Sequence, residues 1–320
     1  MLSDPREQDH PEPLVVLEGY TVRYGRFTAV DHVSFSVPPG ACGLLGKNGA
    51  GKSSVLKAVL GLLEPSTGTA RILGFDAQRE ALALRDHVGY MPEREASFPG
   101  LSGLQSAVLA ARLSGLPGRQ ARQRAHEVLY LVGCGEERYR PVGGYSTGMK
   151  QRIKLAMALV HDPDLLFLDE PTNGLDPGGR TEILALLRDL VAKGKSLILS
   201  SHILSDVESL CEHVVLIDGG KILAQEPLST FTETAGSFYR VGVHGDVDRF
   251  EAKLRELELL EKDLGKGQFL VQAHGSSGEL FEIAMACDVQ IRFLEKDRRS
   301  LTDVFLSKVG KTGAAAGGEA

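Results

Sequence analysis

No apolar run in this sequence is long enough to cross a membrane. The most apolar stretches, "DLLFLDE" (164–170) and "EHVVLIDGG" (212–220), are broken by charge or glycine. Both fall far short of the roughly 20 residues a spanning helix needs. The opening stretch "MLSDPREQDHPEP" is polar, acidic and proline-rich, without the basic start and apolar run of a secretory signal. A soluble or peripheral protein with a flexible segment over 1–13 is the expectation. Cysteine is scarce as well. Cys42, Cys134, Cys211 and Cys287 lie too far apart for metal-ligand spacing, which predicts packed thiols in a reducing compartment. Positive charge is not in excess either: the net charge of -6 gives no general attraction to nucleic acid or anionic lipid, so no nucleic-acid partner is expected.

What the sequence does have is a globular composition, 42% hydrophobic and 24% charged over 320 residues, enough for one large domain and a smaller one. Up to about residue 225, short apolar runs alternate with amphipathic helical patterns, as in a layered α/β domain. "VSFSV" (33–37) and "ACGLLG" (41–46) read as strands separated by Pro38-Pro39-Gly40. Val55, Leu56, Val59 and Leu60 mark one side of the helix after Gly51. Ile153, Ala156, Met157 and Val160 mark another, running from Thr147 and ending before Pro163. "DLLFLDE" reads as a strand buried on both faces, and "SLILSS" and "HVVLID" as two more. Over about 92–162 an Ala-, Arg- and Leu-rich stretch predicts an inserted helical subdomain. From Gly236 onward, Tyr239, Val241 and Val243 alternate with polar or small residues, and Phe250, Leu254 and Leu257 follow helical spacing. A "LGKG" turn leads to "QFLVQA"; Leu280, Ile283, Ala284 and Cys287 return to helical spacing, and Val289, Ile291 and Phe293 to alternation. This β-α-β-β-α-β order predicts a small ferredoxin-like α+β domain within 229–311, ahead of a disordered tail over 312–320.

Chemistry concentrates at three places. "GKNGAGKS", Gly46-Lys47-Asn48-Gly49-Ala50-Gly51-Lys52-Ser53, fits the phosphate-loop pattern G-x-x-x-x-G-K-[ST] between a predicted strand and a predicted helix. Its glycines let backbone N–H groups turn toward phosphates, Lys52 would reach the β- and γ-phosphates, and Ser53 would hold Mg²⁺. Asp169, at the end of a buried strand, can face that metal, and Glu170 is a candidate general base for the attacking water. His202 follows "SLILSS" and would emerge on the same sheet edge. A further loop, Ser146-Thr147-Gly148, opens a predicted helix and suits a phosphate. One nucleotide site does not need two such loops from one chain, so the second serves the nucleotide of a second copy.

These motifs, in this order over residues 14–228, resemble the nucleotide-binding subunit of ATP-binding-cassette (ABC) transporters. The resemblance implies the P-loop NTPase fold of ABC ATPases: a RecA-like core with an antiparallel β subdomain and the inserted helical subdomain. It also implies ATP and Mg²⁺ as ligands. By resemblance Tyr24 stacks on adenine, Gly46–Ser53 with Ser54 bind ATP, and Asp169 binds the metal. Glu170 is then the catalytic glutamate, His202 the residue that senses the γ-phosphate, and Asp176 in "NGLDP" a contact to the partner cassette. Two positions depart from the pattern. The family's Leu-Ser-Gly-Gly-Gln appears as Tyr145-Ser146-Thr147-Gly148-Met149, and the usual glutamine after "GYMP" is Glu93, a carboxylate that can still reach Mg²⁺ or a water. "YSTGMKQR", "GYMPE", "NGLDP" and "SLTDVFL" (300–306) are similar to ATPases of bacterial drug, polysaccharide and haem-related exporters with a separate membrane subunit. That implies a homodimer or paired cassettes, a separate integral membrane permease, and a peripheral place at the cytoplasmic face of the membrane. The alternatives are a soluble ABC ATPase acting on nucleic acid or ribosomes, and a metabolic kinase. The first is opposed by the single phosphate loop and the lack of a heptad run before Tyr145. The second leaves Ser146, Asp176 and His202 unexplained.

Overall fold

Alternation of buried and exposed positions sets the first layer. Val15, Leu17, Tyr20 and Val22 of β1 (Val15–Tyr24) pair antiparallel with β2 (Phe27–Val37), whose Val30, Val33, Phe35 and Val37 point into the same core. The chain then supplies β3 (Ala41–Leu45), α1 (Lys52–Val59), β4 (Thr67–Ile72), β5 (Phe75–Asp76), α2 (Ala81–His87) and β6 (Val88–Met91). Next come α3 (Gly103–Leu113), α4 (Gly118–Leu131), α5 (Thr147–Leu159), β7 (Leu165–Asp169), α6 (Pro177–Ala192), β8 (Ser196–Ser201), α7 (Leu204–Leu210), β9 (His213–Asp218), β10 (Lys221–Pro227) and α8 (Leu228–Glu233). This computed structural model describes residues 12–94, 98, 100–233, 237–273 and 278–297. The sequence expectations for the extreme N-terminus, for "SLTDVFL" and for the tail over 312–320 lie outside the described residues.

Two compact units divide between Glu226 and Pro227. In the first, an antiparallel sheet of order β2-β1-β4-β5 faces a six-stranded sheet of order β10-β9-β3-β8-β7-β6. Strands β9, β3, β8, β7 and β6 pair in parallel, and β3, β7 and β8 are buried along their whole length. That burial on both faces is why they read as continuous apolar runs. The core between the sheets joins Val15, Val33 and Ile72 to Leu56 of α1, Phe167 and Ile198. Between β6 and β7 the described residues are helical, with two short 3-10 turns and no named strand. Helix α5 is buried nearly all round, including Gln151 and Lys154, because α3, α4 and β6 all pack on it.

The second unit has β11 (Ser237–Gly245), α9 (Val247–Glu256), β12 (Leu260–Gly265), β13 (Gln268–Ala273), α10 (Gly278–Ala286) and β14 (Val289–Asp297). Its sheet order, β12-β13-β11-β14, sets the first and last strands side by side, as a ferredoxin-like βαββαβ fold requires. Phe250, Leu254, Phe269, Val271 and Leu280 fill a core of its own. One expected core position differs. Helix α9 ends at Glu256, so Leu257 falls past its last turn and is 41% exposed, while Leu259 takes the buried place at 1%.

Candidate functional site

Strands β3, β6, β7 and β8 run parallel, so their C-terminal ends open on one edge of the sheet. The phosphate-loop residues follow β3, Glu93 follows β6, Asp169 and Glu170 close β7, and His202 follows β8. Ligands of open α/β sheets bind at this edge.

The loop Gly46–Ser53 needs its glycines. Gly51, N-cap of α1, has φ +106, and a Cβ there would stand 2.5 Å from the carbonyl oxygen of Ala29. A Cβ at Gly46 would stand 2.4 Å from the carbonyl oxygen of Ile217. Lys52 is folded beneath the loop: its Nζ donates to the carbonyls of Gly46 (2.8 Å) and Lys47 (3.3 Å) and lies 3.3 Å from Glu170 Oε1.

Glu170 sits in the left-handed region at φ +51, a conformation that costs a non-glycine residue about 1–3 kcal/mol and recurs at functional sites. Its backbone N–H is held by both the carbonyl and the hydroxyl oxygen of Ser200, each at 3.1 Å. The side chain is buried between two cationic or polar groups. Oε2 lies 2.8 Å from His202 Nδ1, and Oε1, near Lys52, makes no hydrogen bond among the described residues. Ser200 also donates to Asp169 Oδ1 at 2.6 Å, so one hydroxyl aligns both acids. The Tyr90 hydroxyl is buried without a hydrogen-bond partner among the described residues, and burial, together with the charges of Asp169 and Glu93, raises its pKa.

A cleft of ≈ 480 Å³ opens over the loop, lined by residues 47–54, by Tyr24, Phe27 and Ala29, and by Glu93 and Glu170. That volume suits a small-molecule ligand. Tyr24 and Phe27 are paired across the β1–β2 turn and are 46% and 64% exposed, two aromatic faces open at the cleft. The inward-turning loop, the buried ammonium and these rings fit a nucleoside triphosphate. The hydroxyl of Ser53 and the carboxylates of Asp169 and Glu93 are the hard oxygen donors Mg²⁺ takes. Among the described residues no group of three or more His, Cys, Asp and Glu side chains is placed to hold a metal alone. An ion held by one or two carboxylates together with substrate phosphates and water is the ordinary arrangement for Mg²⁺.

Other candidates lie apart from this cleft's lining. Ser146 caps α5, its hydroxyl accepting from the Met149 N–H at 3.3 Å, and both Ser146 and Thr147 are exposed, with Gly148 beside them. Asp176 is the exposed N-cap of α6 and makes no side-chain cap bond. These two helix starts are neighbours: Gln151 Nε2 donates to the Asn173 carbonyl at 3.0 Å, and a Cβ on Gly174 would stand 3.0 Å from Thr147 Cγ2. Sequence reasoning missed Phe27, Ala29 and Ser200. Ser200 left one trace, as the first of two serines that close β8 after its apolar run Leu197–Leu199. Phe27 joins the cleft only through the register of β1 with β2.

The family description "ABC transporter" matches residues 30–173, which covers the phosphate loop, Asp169 and Glu170. The chain is 38% identical to the Nod factor export ATP-binding protein I of Ralstonia nicotianae over 73% of each chain. It is 35% identical to the daunorubicin/doxorubicin resistance ATP-binding protein DrrA of Streptomyces peucetius, over 80% of this chain and 77% of that one. Among solved structures, an ATP-binding subunit of an ABC transporter superposes with TM-score 0.63 at 28% identity, over 69% of this chain and 93% of the other.

Proposed function

Since the chain belongs to the ABC transporter ATP-binding proteins and hydrolyses ATP, we propose that two copies, or this chain and a paired cassette, close around two ATP molecules. This cycle powers export through a separate integral membrane permease, with the chain peripheral at the cytoplasmic face. The observation that carries the reading is the separation of two phosphate-suited elements. The loop residues Lys47–Ser53 line the cleft, whereas the exposed helix start at Ser146–Gly148 does not, and it stands beside the equally exposed Asp176. A second copy supplies the missing half of each site. Export is supported by the two relatives named for Nod factor export and for drug resistance. Among the described residues no helix is long and apolar enough to cross a membrane, so the path for cargo belongs to another chain in this reading.

The residues divide the work as follows. Tyr24 stacks on the base. Lys52 exchanges the Gly46 and Lys47 carbonyls for phosphate oxygens, and in doing so releases Glu170 Oε1 from its ion pair. Glu170 then takes a proton from the attacking water, and His202, bonded to Oε2, fixes the direction of that carboxylate. Ser53, Asp169 and Glu93 would hold Mg²⁺, which offsets charge on the β- and γ-phosphates. Loss of the γ-phosphate removes the contacts that keep the pair closed. The test is to tag the Glu170→Gln chain and identify what copurifies from its host's membranes with and without ATP. Recovery of a multi-span membrane protein supports the reading; recovery of ribosomal or chromosomal partners alone overturns it.

A further inference from the structure

The Asp206 carboxyl group has no access to solvent, at 0% exposure, in the first turn of α7. Burying a carboxylate costs several kcal/mol, and an apolar residue of similar size often serves stability as well. Its partners show what it joins. Oδ2 accepts the Thr172 hydroxyl at 2.5 Å, and Oδ1 pairs with Arg180 Nε. Arg180 also reaches the Ser205 hydroxyl at 2.6 Å, and its backbone N–H donates to the Asp176 carbonyl at 2.9 Å. Thr172, itself buried at 2%, lies two residues after Glu170. Asp206 lies four residues after His202, and Arg180 four after Asp176.

We propose that Asp206, with Thr172 and Arg180, is a positioning residue that locks the Glu170–His202 pair to the Asp176 loop. The loops after β7 and β8 are then tied twice, once by the Glu170–His202 bond and once, deeper, by Thr172–Asp206. Arg180 adds the third strand of the tie, from the helix that Asp176 caps. Because the same loop meets the start of α5 through Asn173 and Gly174, a displacement of that surface reaches the hydrolytic carboxylate through Asp206. The residues that would hold ATP line the cleft, and none of Asp206, Thr172 and Arg180 is among them. Breaking the tie should therefore lower turnover while leaving ATP affinity in place.

This inference rests on reading Glu170 and His202 as the hydrolytic pair, so Glu170→Gln is assayed beside it. The variants are Asp206→Leu, Thr172→Val and the double variant, each measured for kcat, KM for ATP and Tm. Thr172→Val keeps the fold measurable should Asp206→Leu unfold. The expected result is a fall in kcat of about 10-fold or more in each, with KM within about threefold of the parent. The double variant should fall no further than the worse single one, since residues acting as a unit are not additive. Thr172→Ser, which keeps the hydroxyl, should restore kcat to within about threefold. Retention of kcat in Thr172→Val or Asp206→Leu, or a loss of activity that follows Tm and moves KM equally, overturns the proposal. If Glu170→Gln retains activity, the pair itself is misread, a failure distinguishable from that of the tie.

Discussion

Glu170 combines three unusual features for one side chain: a left-handed backbone, nearly complete burial, and contacts to both Lys52 and His202. Glu170→Gln keeps the shape and removes the base, so kcat should fall by about 10²–10⁴ in a steady-state ATPase assay while ATP still binds. Tyr24→Ala should weaken ATP binding by about 1–3 kcal/mol, the range of one aromatic stack on a base, as read by calorimetric titration. The thiols obey burial in the same direct way. Burial pushes Cys42 up to about 12 and Cys134 to about 11 from an ordinary 9.0, which keeps both protonated at neutral pH. In the unfolded chain they ionise near pH 9, so unfolding releases protons above that pH. Their contribution to stability is complete below about 9 and is lost as pH rises toward 11–12. Thiol labelling of the native protein at pH 8 should therefore be slow at both and become fast in denaturant. The phosphate loop and Asp169–Glu170 were legible because their spacing is local, and His202 because it directly follows the apolar run of β8. Thr172 and Asp206 stand 34 residues apart, and nothing but the pairing of β7 with β8 brings them together.

Local rules of helix and turn govern the next level. Gly51→Ala keeps the apolar pattern of α1 yet forces a Cβ into the Ala29 carbonyl at φ +106. A loss of a few kcal/mol, read as a lower Tm together with lost ATP binding, is the expected outcome. The helical subdomain depends on capping. Ser102 and Gln105 form a reciprocal capping box at the start of α3, and Ser102→Ala should cost about 1 kcal/mol in denaturant unfolding with little change in KM. The strands buried on both faces, the helix faces of α1 and α5 and the βαββαβ order were readable from periodicity. Element ends were less so: the spacing carried α9 through Leu257, but the helix stops at Glu256 and Leu259 fills the core. The pairing of Tyr24 with Phe27 was hidden for a different reason, since register is fixed by the partner strand and the turn rather than by either residue.

Among the described residues, one hydrophobic core lies between the sheets of the first unit and another lies around Phe250 in the second. Phe250→Ala should therefore destabilise the second unit by about 3–5 kcal/mol, and a denaturation curve should show that transition move while the other stays. The division of the phosphate-suited elements between cleft and exposed surface is what would make the chemistry a property of two copies. The most direct measurement is the molar mass of Glu170→Gln in solution with saturating Mg²⁺–ATP, alone and combined with Ser146→Arg. An ATP-dependent doubling of mass that Ser146→Arg abolishes is the expected result, while the monomer still binds ATP with undiminished affinity. A chain that stays monomeric at saturation, or a Ser146→Arg variant that loses ATP binding as a monomer, would rule out a site shared between two copies.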